Sequence, residues 1–155
     1  ADMVDELLRP LKYSNDFIEE VTFLVKNHMI SKAWGYQCEC MKTKKLRKLQ
    51  FLCNTEHRFN QLMLLIDADN NAHRAEYNMP RQVELILKHT DEMRNTGSTM
   101  FGYKLPLTGK DIIEIKGIKP GPVVKEYQDY LLKLAFVNPL RNKEEMIKHL
   151  KGYKI

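Results

Sequence analysis

The chain has 155 residues, with 25 basic and 20 acidic side chains and a formal net charge of +5. No apolar run approaches the roughly 20 residues of a membrane-crossing helix, and the acidic first residues do not resemble a secretory signal. Three cysteines favour a reduced protein over a disulfide framework. We therefore expect a cytoplasmic protein with no membrane partner.

The first forty residues predict two helices, because apolar side chains recur at helical spacing. The first helix covers residues 2–11, and Pro10 ends or kinks it. Ser14 is the predicted N-cap of the second, which is long and has Gly35 beyond its end. Residues 31–41 show no clear period and are predicted to form a loop.

Three further helices are predicted before residue 94. Thr43 caps the first and Thr55 the second, which ends at residues 69–71. Pro80 is the predicted first residue of the third, which continues to about Met93. The helix after Thr43 is expected to bury its apolar side chains and expose its basic ones; the side chains expected inside are Leu46, Leu49, Phe51, Leu52 and Cys53.

Residues 95–104 contain two glycines and no period, which predicts a linker. Thr108 then caps a short helix that Gly117 ends, a helix follows over about 123–136, and Asn142 caps the last one. The sequence thus predicts an all-α fold. We expect an elongated array of seven or eight helices, divided near residue 100 into a helical body, residues 1–94, and a C-terminal tail, residues 105–155.

A run of basic residues lies on the helix after Thr43. Such a face can neutralise several phosphates of a nucleic acid, although a solvated face without a partner would show the same pattern. Its predicted phosphate ligands are Lys44, Lys45, Arg47 and Lys48.

The sequence Gly-Ile-Lys-Pro-Gly-Pro at 117–122 forms a second candidate site. A helix ends at its first glycine, and the free N–H groups of the next helix start can bind an anion. Lys116 and Lys119 add positive charge beside Gly121. A tight interhelical turn without a ligand explains the same residues.

Metal ligands and catalytic groups are poorly supported. Cys38 and Cys40 have one intervening residue, whereas structural zinc sites prefer two to four. Cys53 lies on an apolar helix face, so we expect no zinc there or at His57. We find no phosphate-binding glycine loop, nucleophile elbow or paired-carboxylate pattern of a nucleotidyltransferase, and therefore no catalytic residues.

Three groups of residues, in this order, resemble the bacterial CCA-adding tRNA nucleotidyltransferase and poly(A) polymerase family. Residues 8–15, Leu-Arg-Pro-Leu-Lys-Tyr-Ser-Asn, and 24–29, Leu-Val-Lys-Asn-His-Met, resemble the second half of its HD domain. Residues 64–70, 72–73, 76–77 and Pro80 resemble the helix that follows. Residues 105–112, 117–122 and 143–145 resemble its C-terminal RNA-binding region.

The resemblance implies a helical fragment that binds the tRNA backbone. CCA addition, and the Mg²⁺ that it needs, would belong to an N-terminal palm domain that this chain lacks. That palm domain and tRNA are the expected partners of the fragment. The fragment itself would have no cofactor and no enzymatic activity. His28 and Asp69 would be remnants of the HD metal site, without a tightly held metal.

Two other functions compete with tRNA binding. The chain fits a fragment of a metal-dependent HD-superfamily phosphohydrolase acting on nucleotides or phosphate esters, an interpretation that depends on His28 and Asp69. It also fits a helical interaction module whose apolar stripes pack on a partner domain.

Overall fold

Helix starts follow the local capping signals of the sequence. The computed structural model describes residues 2–35 and 41–155, with only the backbone at residues 2 and 75. Ser14 Oγ accepts a hydrogen bond from Phe17 N at 3.2 Å, and Thr55 Oγ1 accepts one from Arg58 N at 3.2 Å. Thr108 and Asn142 form reciprocal capping boxes with the acid three residues later. Four of the five predicted caps are thus confirmed, and the fifth, Thr43, is wrong.

Eight α-helices and two 3-10 helices make up the described part of the chain, which contains no strand, so the predicted all-α class is confirmed. None of the helices described is both long and apolar enough to span a bilayer. The α-helices are α1 (Asp2–Leu8), α2 (Asn15–Asn27), α3 (Thr43–Cys53), α4 (Glu56–Asn71), α5 (Gln82–Asn95), α6 (Gly109–Lys116), α7 (Pro122–Val137) and α8 (Lys143–Gly152); the 3-10 helices are His28–Trp34 and Ala75–Tyr77.

Several boundaries differ from the sequence prediction. The helix after Ser14 ends as an α-helix at Asn27, whose side-chain amide donates to Phe23 O at 2.7 Å. The chain then continues as a 3-10 helix to the buried Trp34, so residues 31–34 are not a loop. Residues 36–40, with Cys38 and Cys40, lie outside the described residues. The N-cap of α3 is Lys42 instead of Thr43, and α5 begins two residues after Pro80.

The buried apolar side chains form two clusters. The first lies among the helices of residues 34–93 and includes Leu46, Leu62, Ile66 and Ile86. The second lies among α6, α7 and α8, and its fully buried members include Ile112, Leu131, Met146 and Leu150.

The accessible surface of the protein is 10,150 Å², against about 8,100 Å² for a compact protein of this mass. The helices therefore bury less surface than a spherical arrangement would.

The segment predicted as a linker is a packed connection between the two clusters. Met100 is fully buried, and its N–H donates to Gln50 Oε1 on α3 at 3.1 Å. Gly102 N donates to Asn54 O at 2.7 Å. Ser98 is also buried, so this segment is not the open linker expected from its glycines.

Helices α3 and α7 join the two clusters directly. The rings of Phe51 and Phe136 meet edge to face with centroids 5.6 Å apart. Phe51 therefore packs on the second cluster, while Leu52, which was expected inside, is 45% exposed. This contact brings the basic residues of α3 close to the C-terminus of α7.

Candidate nucleic-acid interface

The exposed face of α3 carries three lysines. Leu46, Leu49 and Cys53 bury the opposite face, so Lys44, Lys45 and Lys48 fall within an arc of about 100° on the solvent side. Throughout the described residues, no carboxylate forms an ion pair with any of the three lysines. The ion pairs that do form there are Arg9–Asp5, Lys32–Asp69, Arg58–Glu20, His73–Asp69, Arg81–Glu84, His89–Glu92, Arg94–Glu56, Arg94–Asp91 and Lys143–Asp111. The face is an uncompensated positive patch.

The position of these lysines on α3 is unfavourable for the isolated helix. Lys44 and Lys45 lie in the first turn, which has no acidic residue. The N-terminal end of a helix carries partial positive charge, so a cation there destabilises by about 0.3–1 kcal/mol. The same end attracts anions, and the two ammonium groups strengthen that attraction. This charge pattern does not stabilise the helix, but it would favour an anion bound at the helix start.

Arg47, the fourth predicted phosphate ligand on α3, is directed into the protein. Its Nε donates to Ser98 O at 3.1 Å, and its Nη1 donates to Phe136 O at 3.3 Å and Val137 O at 2.5 Å. Burial lowers the pKa of this guanidinium from its usual value. Its side chain links α3 to the packed connection and to the end of α7, so we remove it from the phosphate-binding set.

The turn between α6 and α7 keeps only part of its predicted charge. Lys116 Nζ donates to Leu150 O at 3.2 Å and Tyr153 O at 2.8 Å, so it binds the C-terminal end of α8. Lys119 is exposed. Gly117 has the left-handed conformation, with φ of 62°, that suits the end of α6. Lys116 therefore stabilises the tail and leaves Lys119 as the free cation of this turn among the described residues.

The start of α7 offers fewer free donors than the sequence indicated. Pro122 is the first residue of the helix and has no N–H. Val124 N donates to Gly121 O at 3.1 Å. Gly121 has extended backbone, with φ of 165°, and a Cβ there would meet no atom within 4 Å. Neither backbone strain nor space requires a glycine at this position.

The two predicted phosphate-binding regions lie at opposite ends of α7. Lys119 and Gly121 precede its first residue, whereas the α3 face approaches Phe136 in its last turn, with Lys48 Nζ 5.8 Å from the ring centroid. The 16 residues of α7 span about 24 Å. The regions can therefore contact only separate points of one extended ligand.

A third group of basic side chains was missed by sequence reasoning. Arg141, Lys148 and His149 line a pocket of about 640 Å³ between the C-terminus of α7 and α8. Arg141 Nη1 donates to Leu134 O at 2.8 Å, which places the guanidinium beside the α7 end. The basic excess after Lys104 was visible in the sequence, but its convergence depends on how α8 folds back.

The proposed HD remnants lie beside an internal ion pair. Lys32 Nζ is 2.9 Å from Asp69 Oδ2 and donates to Asn70 Oδ1 at 2.9 Å. Lys32 is the main cause that lowers the pKa of Asp69 from its usual value, with smaller contributions from His73 and His28. An ammonium group thus neutralises the carboxylate that a metal would need.

No other potential metal site is formed by the residues that the structure describes. No group of three or more histidine, cysteine or acidic side chains converges there. His28 Nδ1 lies 2.6 Å from Val25 O. Burial raises the pKa of the Cys53 thiol to about 12, which disfavours the thiolate that zinc requires, and His57 is exposed.

Comparisons of the chain with protein-family models, with curated proteins and with solved structures find no match. The functional interpretation therefore depends on the charged surfaces described above and on the sequence resemblance. The most informative feature is the set of unpaired cations on α3 and around the end of α7.

Proposed function

We propose that this chain binds RNA through its phosphate backbone. The observation that carries the proposal is the uncompensated lysine face of α3, since Lys44 and Lys45 occupy a helix end where cations are unfavourable without an anion. Lysine ammonium groups are strongly hydrated point charges suited to phosphates and give little information about base sequence. Lys119, about one α7 length away, supplies a second contact to an extended ligand.

The finer proposal is that the chain is the tRNA-binding, C-terminal region of a CCA-adding tRNA nucleotidyltransferase. Its support is the ordered resemblance at residues 8–29, 64–80 and 105–145. In this proposal nucleotidyl transfer and its Mg²⁺ belong to a separate palm domain, and the helices hold the tRNA. Phosphohydrolase chemistry is less well supported, because Lys32 already neutralises Asp69.

A tRNA titration of the full chain at several salt concentrations tests the proposal. Replacing Lys44, Lys45 and Lys48 with glutamine should weaken binding about 10- to 100-fold and reduce the salt slope by about three, one for each lost phosphate contact. The matched control replaces three exposed lysines on other helices with glutamine: Lys88, Lys110 and Lys133.

Three outcomes would contradict backbone binding through α3. These are an affinity that ignores salt, an absence of binding at low salt, and equal losses for the two triple variants. A loss confined to one tRNA among several would contradict recognition of the backbone, because phosphates are common to all of them.

A second candidate function, contact with a protein, is favoured by one surface. Met3 and Leu7 lie one turn apart on α1, and Leu11 follows in the next turn; their exposed fractions are 71%, 64% and 66%. Apolar side chains this exposed at helical spacing are typical of a contact surface. Sedimentation over a range of concentrations tests self-association, and serine at Met3 and Leu7 should abolish it if α1 is the interface.

A further inference from the structure

The pocket at the α7–α8 junction combines cations with an aromatic ring. Its walls come from α7, from the connection after it and from one face of α8, where residues 145, 148, 149 and 152 follow helical spacing. The lining residues on which the argument depends are Tyr130, Asn138, Arg141, Lys148, His149 and Gly152. Its volume of about 640 Å³ falls in the range of about 300–1,000 Å³ for small-molecule sites.

The pocket has a net positive charge, because two permanent cations, Arg141 and Lys148, face one lining carboxylate, that of Glu145. Glu145 is held at the start of α8, where its Oε2 accepts a hydrogen bond from Asn142 N at 3.3 Å. Arg141, Lys148 and His149 are absent from the ion pairs of the described residues, which were given above. An anionic ligand would complete the charge balance.

The remaining groups suit a flat ring with hydrogen-bonding edges. Tyr130 stacks on Tyr153 with centroids 3.7 Å apart and planes 2° from parallel, so one side of its ring is covered and held. Tyr130 also lines the pocket. Asn138 Oδ1 accepts from Leu140 N at 3.0 Å, which fixes the amide and directs its NH₂ group elsewhere as a donor.

We propose that this pocket binds one nucleotide. Arg141, Lys148 and His149 hold its phosphate, the base lies against Tyr130, and Asn138 donates to the base or sugar. Bases stack on aromatic side chains with little sequence preference. The ligand is either a free mononucleotide or an unpaired nucleotide of a bound RNA, and only the second source rests on the proposed RNA-binding function.

The space at Gly152 allows a test that separates the pocket from its charge. A Cβ at Gly152 would meet no atom within 4 Å, and the residue closes α8, where leucine is favoured over glycine. Gly152→Leu should therefore keep the fold and every cation while filling the pocket. A general cationic surface would bind equally well after this change, whereas a nucleotide pocket would not.

The experiment is an NMR titration of the full chain with adenosine monophosphate, adenosine and inorganic phosphate. We expect saturable shifts of the amides of Asn138, His149 and Gly152, with the nucleotide binding at least about tenfold more tightly than either part. Gly152→Leu should weaken it by about tenfold or more. Lys148→Gln should weaken it by about three- to tenfold, and Lys151→Gln, on the same helix but outside the pocket, by less than twofold.

Equal losses for Lys148→Gln and Lys151→Gln, or unchanged binding by a folded Gly152→Leu variant, would overturn the pocket. So would amide shifts that avoid residues 138–152. A single-stranded oligonucleotide and a blunt RNA duplex identify the source: shifts with the single strand indicate an unpaired RNA nucleotide, and shifts with the mononucleotide alone indicate a free one.

The pocket and the proposed function fail separately. If tRNA binding depends on the α3 lysines, but neither nucleotide nor RNA shifts the NMR signals of the pocket's amides, then nucleotide binding in the pocket is wrong and RNA binding stands. If adenosine monophosphate fills the pocket while tRNA does not bind at low salt, the pocket stands and RNA binding is wrong.

Discussion

Arg47 gives the sharpest test of how the two clusters are joined. The change is Arg47→Met, which keeps an apolar stem but removes the guanidinium that donates to the carbonyls of Ser98, Phe136 and Val137. A hydrogen bond to a neutral carbonyl contributes about 1 kcal/mol net, and more when the donor is charged. Because the site is partly exposed, water will replace some of the lost donors. We therefore expect a loss of about 2–3 kcal/mol in the free energy of unfolding.

The assay is urea unfolding followed by circular dichroism, together with thermal unfolding. For a chain of about this size, the loss corresponds to a fall of roughly 5–10 °C in Tm. The control is Lys44→Met on the exposed face of the same helix, which should leave stability unchanged or raise it by up to about 1 kcal/mol, because it removes a cation from the helix start. RNA affinity is measured on both variants below their unfolding temperatures.

The opposite pattern would refute the placement of Arg47. If Arg47→Met is as stable as Lys44→Met but binds RNA much more weakly, the side chain is a phosphate ligand, as its place in the basic run first indicated. Arg47→Lys separates these roles further, since a lysine keeps the charge but cannot reproduce the planar set of donors.

Three other side chains give independent predictions. Gln50→Leu leaves the buried N–H of Met100 without its acceptor and should destabilise the fold by about 1–3 kcal/mol in urea; an unchanged midpoint would show that this bond contributes nothing. The pKa of Asp111 is lowered to about 2 by its hydrogen bonds from Thr108 and by Lys143, so the unfolded state binds more protons in acid, and stability should fall as pH drops from about 4 to 2. Asp111→Asn should flatten that part of the urea-midpoint profile, and an identical slope would contradict the assignment. Cys53 is buried with its pKa raised to about 12, so iodoacetamide at pH 8 should modify it only in urea, as peptide mapping would show; rapid labelling of the folded chain would contradict its burial.

The helix starts could be read from the sequence because their causes are local. Ser14, Thr55, Thr108 and Asn142 each accept a hydrogen bond from an N–H three residues later, and such an interaction needs no distant partner. The continuation of the chain from His28 as a 3-10 helix was missed, because it depends on the burial of Trp34 against α3 and α4.

The candidate site was less predictable, because its charges are sorted by tertiary contacts. Arg47 and Lys48 are neighbours in the sequence, yet Arg47 bonds the carbonyls of another helix while Lys48 remains exposed. Lys116 and Lys119 differ in the same way, since Lys116 meets the end of α8. A basic run indicates how much positive charge a surface can carry, but not which cations remain free to bind.

The packed connection between residues 95 and 104 couples the stability of one half of the molecule to that of the other. Met100 belongs to the second cluster, while its N–H donates to Gln50 of α3, the helix that supplies Leu46 and Leu49 to the first. If either half unfolds, the other half therefore loses a contact: the N–H of Met100 loses its acceptor, or the side chain of Met100 loses its apolar neighbours. Amide hydrogen exchange should report one cooperative unit across α3 and α7, and a cut near residue 100 should yield halves that are less stable apart than together.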